Sequence, residues 1–276
     1  MEGWYAALLV RGRLKRILDA LGLLPAARSG AERLRALSPA RRAKARRRRA
    51  RRLRAEALYA EFLGPDDLCF DIGANVGARV EIFRALGARV IAAEPDTRCL
   101  EILHRRFDGD PQVVLVSAGL GAAEGEAEFF VSSDRETSSM SAEWIAAVRE
   151  RLSEFTWAER RTVKITTLDA LVAQHGRPAF CKIDVEGFEL EVLRGLSTAL
   201  PCLSFEYTPE RLDPALEALD RLSSLGDYVF SFSREVDFVL DGGWVDAATL
   251  ARRLRGERDS GRSGDVYARR IASGRS

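Results

Sequence analysis

The sequence predicts an α/β fold, in which an open and mainly parallel sheet carries helices on both faces and follows a basic helical extension at the N-terminus. Three observations indicate this fold. From Asp66 onward, short apolar runs alternate with segments of helical spacing, a pattern typical of βαβ units. The first of these runs leads directly into a glycine turn. Acidic residues follow several runs, at the strand ends where α/β sheets bind ligands.

The N-terminal extension is strongly basic. Its first 60 residues contain 17 Lys and Arg against four acids, whereas the remainder contains 26 against 37. Apolar side chains recur at helical spacing through residues 4–24, which predicts an amphipathic helix, and residues 41–54 are mostly arginine. We therefore predict two parts, a basic helical extension of residues 1–60 and an α/β domain of residues 61–276.

The extension has three interpretations. Anionic lipid headgroups would attract its Lys and Arg, and the apolar face of residues 4–24 would then lie in the membrane surface. Nucleic acid phosphates would attract the same charges but leave the apolar face without a role, so nucleic acid is the less favoured partner. In the third interpretation, the apolar face packs on the acidic body or on a second subunit of a homo-oligomer, and the arginines are solvated.

Composition and cysteine spacing bear on the compartment. The sequence has no uninterrupted apolar stretch of about 18 residues, which a transmembrane helix would need. It begins without the basic n-region of a secretory signal, so we expect a cytoplasmic protein, peripheral to the inner face of the membrane if the extension binds lipid. The four cysteines are scattered without a Cys-x-x-Cys or Cys/His grouping and are interpreted as reduced core thiols.

The elements of the α/β domain follow in order. Apolar runs predict strands at residues 68–72, 89–94, 113–117, 179–184 and 202–207. Helical spacing predicts helices near residues 77–86, 97–107, 167–174, 188–195 and 212–225.

Additions to this alternating pattern are also visible. Residues 127–131 and 162–166 predict a hairpin, and the insertion between them, residues 132–161, contains a helical apolar face that should pack on the body as a flap over the site. That face consists of Trp144, Ile145, Val148, Leu152 and Phe155. Final strands at residues 228–232, 237–240 and 265–270 suggest an antiparallel edge.

The strongest local signal is the strand that ends in Asp71 and Ile72 and continues into a glycine turn. Gly73 allows a tight turn, and Gly77 allows the next helix to pack closely on the sheet. Glu94 ends the next strand, at the distance where an acid can accept hydrogen bonds from both ribose hydroxyls. The turn lacks the Gly-x-Gly-x-x-Gly spacing of dinucleotide sites, and a carboxylate at Asp71 suits a ligand with an ammonium group, such as S-adenosylmethionine.

A second group of acids follows the later strands. Asp184 and Glu186 come after the run that begins at Phe180, and Glu206 ends the next run. These carboxylates should face the ligand crevice and are the candidates for a catalytic base. Both histidines, His104 and His175, lie away from strand ends and are interpreted as structural.

These motifs, in this order and spacing, resemble the FkbM family of methyltransferases. The likeness spans residues 66–208 and rests on three segments: Phe70-Asp71-Ile72-Gly73-Ala74-Asn75-Val76-Gly77, Glu94-Pro95, and Lys182-Ile183-Asp184-Val185-Glu186-Gly187-Phe188-Glu189. The resemblance implies a Rossmann-like class I methyltransferase fold with S-adenosylmethionine as the methyl donor. It also implies O-methylation of a hydroxyl group on a sugar, a polyketide or a lipid-linked glycan.

By position, the resemblance assigns binding of the methionine part of the donor to Asp71, Gly73, Asn75 and Gly77, and binding of the ribose to Glu94. Ser117, after the third strand, stands where many related enzymes place Asn or Asp toward the adenine. The Ser138-Ser139 turn resembles a serine-rich stretch of the family. We expect no metal, because a clustered set of three ligands is not visible in the sequence.

Two alternatives stay open at this level. An RNA methyltransferase would use the basic extension to hold phosphates, although the body lacks an obvious basic, aromatic-rich groove. A non-enzymatic adaptor would retain the fold without the activity, and the presence of Asp71, Glu94 and Asp184 argues against it.

Overall fold

The computed structural model describes residues 39–234 and 237–271. The predicted amphipathic helix of residues 4–24 lies outside these ranges. The chain divides into two compact units, residues 1–50 and residues 51–276. Within the described ranges, no helix is both long enough and apolar enough to cross a membrane.

Helix α1, Pro39–Tyr59, contains the arginine-rich run. In the first unit, its residues 41–50 are all exposed. In the second unit, Ala55, Leu58 and Tyr59 of the same helix are buried among the residues of one core cluster. The predicted division of the chain at residue 60 stays a prediction.

The second unit is built on an eight-stranded sheet in the order β10-β9-β11-β8-β7-β1-β2-β3. Strands β3, β2, β1, β7 and β8 are parallel, and β11, β9 and β10 extend the sheet antiparallel from β8. The strands are β1 Leu68–Ile72, β2 Arg89–Ala93, β3 Val113–Val116, β7 Phe180–Ile183, β8 Cys202–Tyr207, β9 Tyr228–Arg234, β10 Asp241–Val245 and β11 Gly264–Arg270. From β1 the next strands, β2 and β3, are added on one side, and β7 and β8 are added on the other. The strand order therefore reverses between β1 and β7, where α/β sheets form their ligand crevice.

Helices cover both faces of this sheet. The cluster on one face includes residues of α1, α2 and α3, and the cluster on the other face includes residues of α5 to α8. The helices are α2 Ala78–Ala85, α3 Thr97–Phe107, α4 Ala142–Val148, α5 Leu168–His175, α6 Glu189–Arg194, α7 Asp213–Leu225 and α8 Ala247–Gly256. This arrangement confirms the predicted α/β fold with a mainly parallel sheet.

A second, three-stranded sheet carries the predicted hairpin. Strands β5 Gly125–Val131 and β6 Glu159–Thr166 pair antiparallel, and the short β4 Gly119–Leu120 pairs parallel with β6. The flap, residues 132–161, connects β5 to β6 and contains α4. Three of the five predicted face residues, Trp144, Ile145 and Val148, are buried together, with Leu152 packed against them beyond the helix.

One predicted strand is wrong. Residues 237–240 form no strand, and the edge strand is β10, immediately after them. Phe238 has a positive φ of 49° and is buried beside Tyr59, so this apolar run fills the core instead of pairing. The pattern also missed α8 and β4. The other strands and helices predicted for the α/β domain are confirmed, and their ends differ by at most two residues except at β6, which begins three residues earlier than predicted.

Candidate functional site

The glycine turn lies directly against the end of β7. Gly73 has a φ of 82°, and a Cβ atom at this position would lie 1.8 Å from the carbonyl oxygen of Asp184. Gly77 has the same φ, and a Cβ there would lie 2.4 Å from Phe107. Both positions therefore require glycine, for conformation and for space. The turn and the β7 end form one continuous wall of the crevice.

Glu94 holds the glycine turn against the end of β2. Its Oε2 accepts a 2.8 Å hydrogen bond from the backbone N–H of Asn75, and its Oε1 accepts one of 2.8 Å from the N–H of Asp96. Burial raises the pKa of Glu94 to about 7, although these two hydrogen bonds oppose the shift. Each carboxylate oxygen has a further lone pair, so the predicted contact with a ribose diol is compatible with this geometry.

Asp71 lies beneath the turn. Its side chain is 1% exposed and accepts a hydrogen bond from the backbone N–H of Val80 in α2. Burial raises the pKa of Asp71 to about 7, against the opposing effect of Lys182 and Arg79. Asp71 therefore supports the turn from within the core, and the predicted contact with a ligand's ammonium group stays a prediction.

The two other predicted donor-binding residues lie at the same edge. Asn75 has a φ of 49°, in the left-handed region that asparagine tolerates, and its Nδ2 donates to the carbonyl of Arg135 at 3.5 Å. Ser117 follows β3 and is exposed. Because the backbone N–H of Glu94 donates to the carbonyl of Val116, Ser117 stands beside the end of β2.

The three predicted catalytic acids come together in one cluster. Asp184, Glu186 and Glu206 each offer a carboxylate oxygen, and these three oxygens lie within 4.8 Å of one another. β7 and β8 are parallel neighbours in register, which brings the residues after β7 beside the end of β8. Three acids at this spacing could hold a divalent cation. The argument from sequence against a metal therefore does not hold, and the expected absence of a metal stays a prediction.

The acids of the cluster differ in their proton affinity. Burial, and then the nearby carboxylates of Glu186 and Asp184, raise the pKa of Glu206 well above its ordinary value. Burial also disfavours the charge of Asp184, but Lys182 and Arg79 outweigh it and hold the pKa of Asp184 below its ordinary value. The cluster thus combines one carboxyl group with a lowered pKa and one with a raised pKa.

Lys182 is the residue of this site that the sequence analysis missed. It is fully buried in β7, and its Nζ lies 3.0 Å from Oδ2 of Asp184 and 2.9 Å from Oδ1 of Asp265 in β11. A lysine inside an otherwise apolar strand was the available signal. Around it, several buried polar atoms have no hydrogen-bond partner among the described residues: Tyr59 Oη, Asp71 Oδ2 and Ser204 Oγ.

The first part of the flap crosses the crevice. Near β2, Arg98 donates to the carbonyl of Ser132 at 2.9 Å and to Oγ of Ser138 at 3.2 Å. Near β7, Oγ of Ser139 donates to the carbonyl of Glu186 at 2.6 Å. The flap is therefore attached on both sides of the glycine turn, and the Ser138-Ser139 turn forms the attachments.

The helix of the flap is attached to β7 and β8. A Cβ on Gly187 would lie 2.3 Å from Trp144, so the indole packs directly on this glycine. The Nε1 of Trp144 donates to Oγ1 of Thr208 at 2.9 Å, within the core. Arg211 Nη1 donates to Oγ of Ser141 at 3.1 Å and to the carbonyl of Gly187 at 3.3 Å. These contacts place the flap beside the acid cluster.

The histidines and cysteines take no part in this arrangement, except that Sγ of Cys99 donates to Oδ1 of Asn75 at 3.6 Å. His104 is exposed on α3 and pairs with Asp108, and His175 ends α5 near Arg89, at the start of β2. All four cysteines are free, and Cys69, Cys99 and Cys181 are buried. These positions agree with their interpretation as structural residues.

Comparison with known proteins gives one curated relative and several solved structures. The hexuronic acid methyltransferase AglP of Haloferax volcanii is 29% identical over 181 residues, which are 63% of this chain and 70% of that protein. Precorrin-6y C5,15-methyltransferase of Geobacter metallireducens has a TM-score of 0.42 at 11% identity, over 80% of this chain and 87% of that one. An rRNA methylase of Streptococcus thermophilus has a TM-score of 0.41 at 11% identity, over 79% and 95%. The fold assignment itself rests on the strand order of this chain.

A family model gives the assignment. The methyltransferase FkbM domain, for which S-adenosylmethionine is the expected methyl donor, matches residues 71–229. This range begins at the glycine-turn motif, includes the flap and the acid cluster, and covers more than half of the chain. The protein therefore belongs to the FkbM methyltransferase family.

Proposed function

We propose that this methyltransferase transfers the methyl group of S-adenosylmethionine to a hydroxyl oxygen of a sugar. The observation that carries the proposal is the close approach of Gly73 to Asp184, because it places the donor-binding turn next to three clustered carboxylates. The relative from Haloferax volcanii is named for methylation of a hexuronic acid, which favours a sugar acceptor.

The donor is proposed to lie over the glycine turn, with its ribose at Glu94 and its adenine near Ser117. The donor supplies an electrophilic methyl group on sulfur, so the protein has to align the acceptor oxygen with that methyl and exclude water. The flap suits the second task, because it is attached on both sides of the turn through Arg98 and Ser139.

The acceptor hydroxyl loses its proton as the new bond to carbon forms. The acid cluster is proposed to take that proton. Glu206 has the raised pKa that makes a carboxylate a stronger base once it is ionised, and Asp184 is held ionised by Lys182. The proton is therefore assigned to the cluster as a whole.

The donor site is tested by calorimetry with S-adenosylhomocysteine, the demethylated donor. Glu94→Gln replaces one carboxylate oxygen by an NH₂ group, which cannot accept from either backbone N–H, and we expect binding at least about tenfold weaker. Glu101→Gln, at an exposed position on α3, is the control and should bind as the wild type does. Equal affinity of the wild type and of both variants would contradict the proposed donor site.

The reaction is tested with labelled S-adenosylmethionine and the methyl glycoside of glucuronic acid. We expect label in the sugar, and Glu206→Gln should abolish transfer while leaving the affinity for S-adenosylhomocysteine unchanged. RNA is the second acceptor in the assay, since residues 41–50 of α1 are exposed and mostly basic. Label in RNA that disappears at high salt would favour the RNA alternative instead.

We also propose that the basic extension contacts an anionic membrane surface, which would bring the enzyme to a lipid-linked glycan acceptor. A homo-oligomer is the alternative use of its apolar face.

A further inference from the structure

The two parts of the flap are held on the body by different kinds of contact. In the second part, the apolar face of α4 is buried, and Nε1 of Trp144 donates to Oγ1 of Thr208 within the core. Just before α4, Met140 packs on β4, since a Cβ on Gly119 would lie 3.0 Å from the methionine sulfur. Buried apolar contacts of this kind hold α4 firmly on the body.

The first part is the flap edge, residues 132–138, which has the sequence Ser-Ser-Asp-Arg-Glu-Thr-Ser and contains no hydrophobic residue. The guanidinium of Arg98 holds it from the body, because Nη1 donates to the carbonyl of Ser132 at 2.9 Å and Nη2 to Oγ of Ser138 at 3.2 Å. Water can replace such hydrogen bonds when the edge lifts, so opening the edge costs less than detaching α4.

Arg98 also connects the flap edge to the end of β2. Its Nε and Nη2 both donate to Oδ2 of Asp96, at 3.0 Å and 2.6 Å. The backbone N–H of Asp96 donates in turn to Oε1 of Glu94, the proposed ribose ligand, at 2.8 Å. Asp96 is 2% exposed, so the carboxylate that orients Arg98 is fixed in the core. The flap edge and the proposed ribose ligand are therefore connected through Arg98 and Asp96.

The flap edge lies against the donor side of the crevice. Nδ2 of Asn75, in the glycine turn, donates to the carbonyl of Arg135 in the edge at 3.5 Å. The backbone N–H of the same asparagine donates to Oε2 of Glu94 at 2.8 Å. A donor bound with its ribose at Glu94 would therefore lie beside the flap edge.

We propose that the flap edge is a gate through which the methyl donor enters and leaves, that Arg98 is the positioning residue that holds the gate closed, and that α4 is its fixed end. The gate opens when Arg98 exchanges its hydrogen bonds to Ser132 and Ser138 for bonds to water, while Asp96 keeps the guanidinium in place. The inference rests on the proposed donor site and is independent of the acceptor.

The gate is tested by stopped-flow measurement of S-adenosylhomocysteine binding to the full-length protein. Tryptophan fluorescence supplies the signal, because Nε1 of Trp157 donates to the carbonyl of Thr137 in the flap edge at 2.7 Å. We expect R98Q to increase the dissociation rate at least about tenfold, as for lost hydrogen bonds from a charged group. The association rate should also increase, at least about threefold, because binding no longer waits for the gate to open. Loss of binding contacts alone would increase only the dissociation rate.

Three further variants make the result decisive. R161Q is the matched control, because Arg161 Nη1 lies 3.8 Å from Oδ1 of Asp96 but donates to Thr97 instead of the flap edge, so both rates should match the wild type. R98K keeps a charged donor and should give rates between those of the wild type and R98Q. S138A removes the acceptor on the flap side and should also increase both rates, which provides the comparison if R98Q does not fold. Unchanged association rates in R98Q and S138A, or an equal change in R161Q, would overturn the proposal.

Hydrogen exchange measured by mass spectrometry separates the two parts of the flap. Without ligand, the amides of the flap edge should exchange at least about threefold faster in R98Q than in the wild type, while the amides of α4 exchange equally in both. Saturation with S-adenosylhomocysteine should slow exchange of the edge in the wild type. Equal acceleration of α4 in R98Q would show that the flap moves as one body and would contradict the fixed end.

The outcomes also separate this inference from the proposed function. Faster donor exchange in R98Q, in an enzyme that transfers no methyl group to the sugar, supports the gate and contradicts the proposed acceptor. Methylation of the sugar by an enzyme whose rates of donor exchange do not change in R98Q supports the proposed function and rejects the gate. A wild type that does not bind S-adenosylhomocysteine rejects both.

Discussion

The Nζ atom of Lys182 lies 2.9 Å from Oδ1 of Asp265, a residue 83 positions later in the chain. The contact passes over β8, which separates β7 from β11 in the sheet. Lys182 is fully buried and Asp265 is 5% exposed, and the same ammonium group also holds Asp184 of the acid cluster. The antiparallel edge of the sheet is thus connected electrostatically to the candidate active site.

We expect Lys182→Met to destabilise the protein by about 3–5 kcal/mol, because it leaves the buried Asp265 and the partly buried Asp184 without their cation. Urea unfolding measures the loss. A second substitution, Asp265→Asn, should recover part of it by removing one of the two uncompensated charges. The control is Arg160→Met, which breaks an exposed pair with Glu128 and should change stability little. A similar small effect in both single variants would show that the buried pair is not important for stability.

Gly73→Ala should damage both folding and donor binding. The added Cβ would meet the Asp184 carbonyl oxygen at 1.8 Å, so the turn or the end of β7 has to move. Gly109→Ala is a matched control, because Gly109 has a φ of 88° but no neighbour within 4 Å. Both variants carry the strain of a positive φ, of about 1–2 kcal/mol. We expect the melting temperature of the first to fall further and only the first to lose affinity for S-adenosylhomocysteine; equal effects would contradict the close approach.

Glu189 should make stability depend on pH. Burial raises the pKa of this 7% exposed group from 4.5 to about 7, so the folded protein binds the proton more tightly than the unfolded chain does. Its contribution is therefore fully present below pH 4.5, decreases as the pH rises, and is lost above about pH 7. The difference across this range is about 3 kcal/mol.

Glu189→Gln removes this dependence and keeps an oxygen for the N–H groups of Val185 and Gly187. Thermal unfolding should show the variant more stable than the wild type at pH 8 and equally stable near pH 4. Glu126→Gln, at an exposed position on β5, is the control and should follow the wild type at both pH values. A variant no more stable than the wild type at pH 8 would contradict the raised pKa.

The acid cluster shows what local sequence patterns predict and what they do not. Asp184, Glu186 and Glu206 were each predicted to lie at a strand end, because the run before each of them is apolar and strand-like. Their grouping within 4.8 Å depends on β7 and β8 being neighbours in register, a pairing that neither segment encodes alone. The argument against a metal failed for this reason.

The apolar run at residues 237–240 is a case in which a local pattern predicted the wrong structure. Its apolar residues match a strand pattern and predict a strand. The structure reverses this expectation, because Phe238 packs beside Tyr59 of α1, far away in the sequence, and residues 241–245 pair with β9.

The sequence by itself determined the α/β class, the parallel strands, the glycine turn and the family, because each of these depends on residues close together in the chain. Hydrophobic periodicity and glycine spacing are local patterns, which can be recognised without knowing which segments are neighbours in the fold. The tertiary structure alone decided the pairing of Lys182 with Asp265 and the burial of Asp71 beneath the turn. Burial and ion pairing depend on which segments meet in space, and that choice is made by the packing of the whole sheet.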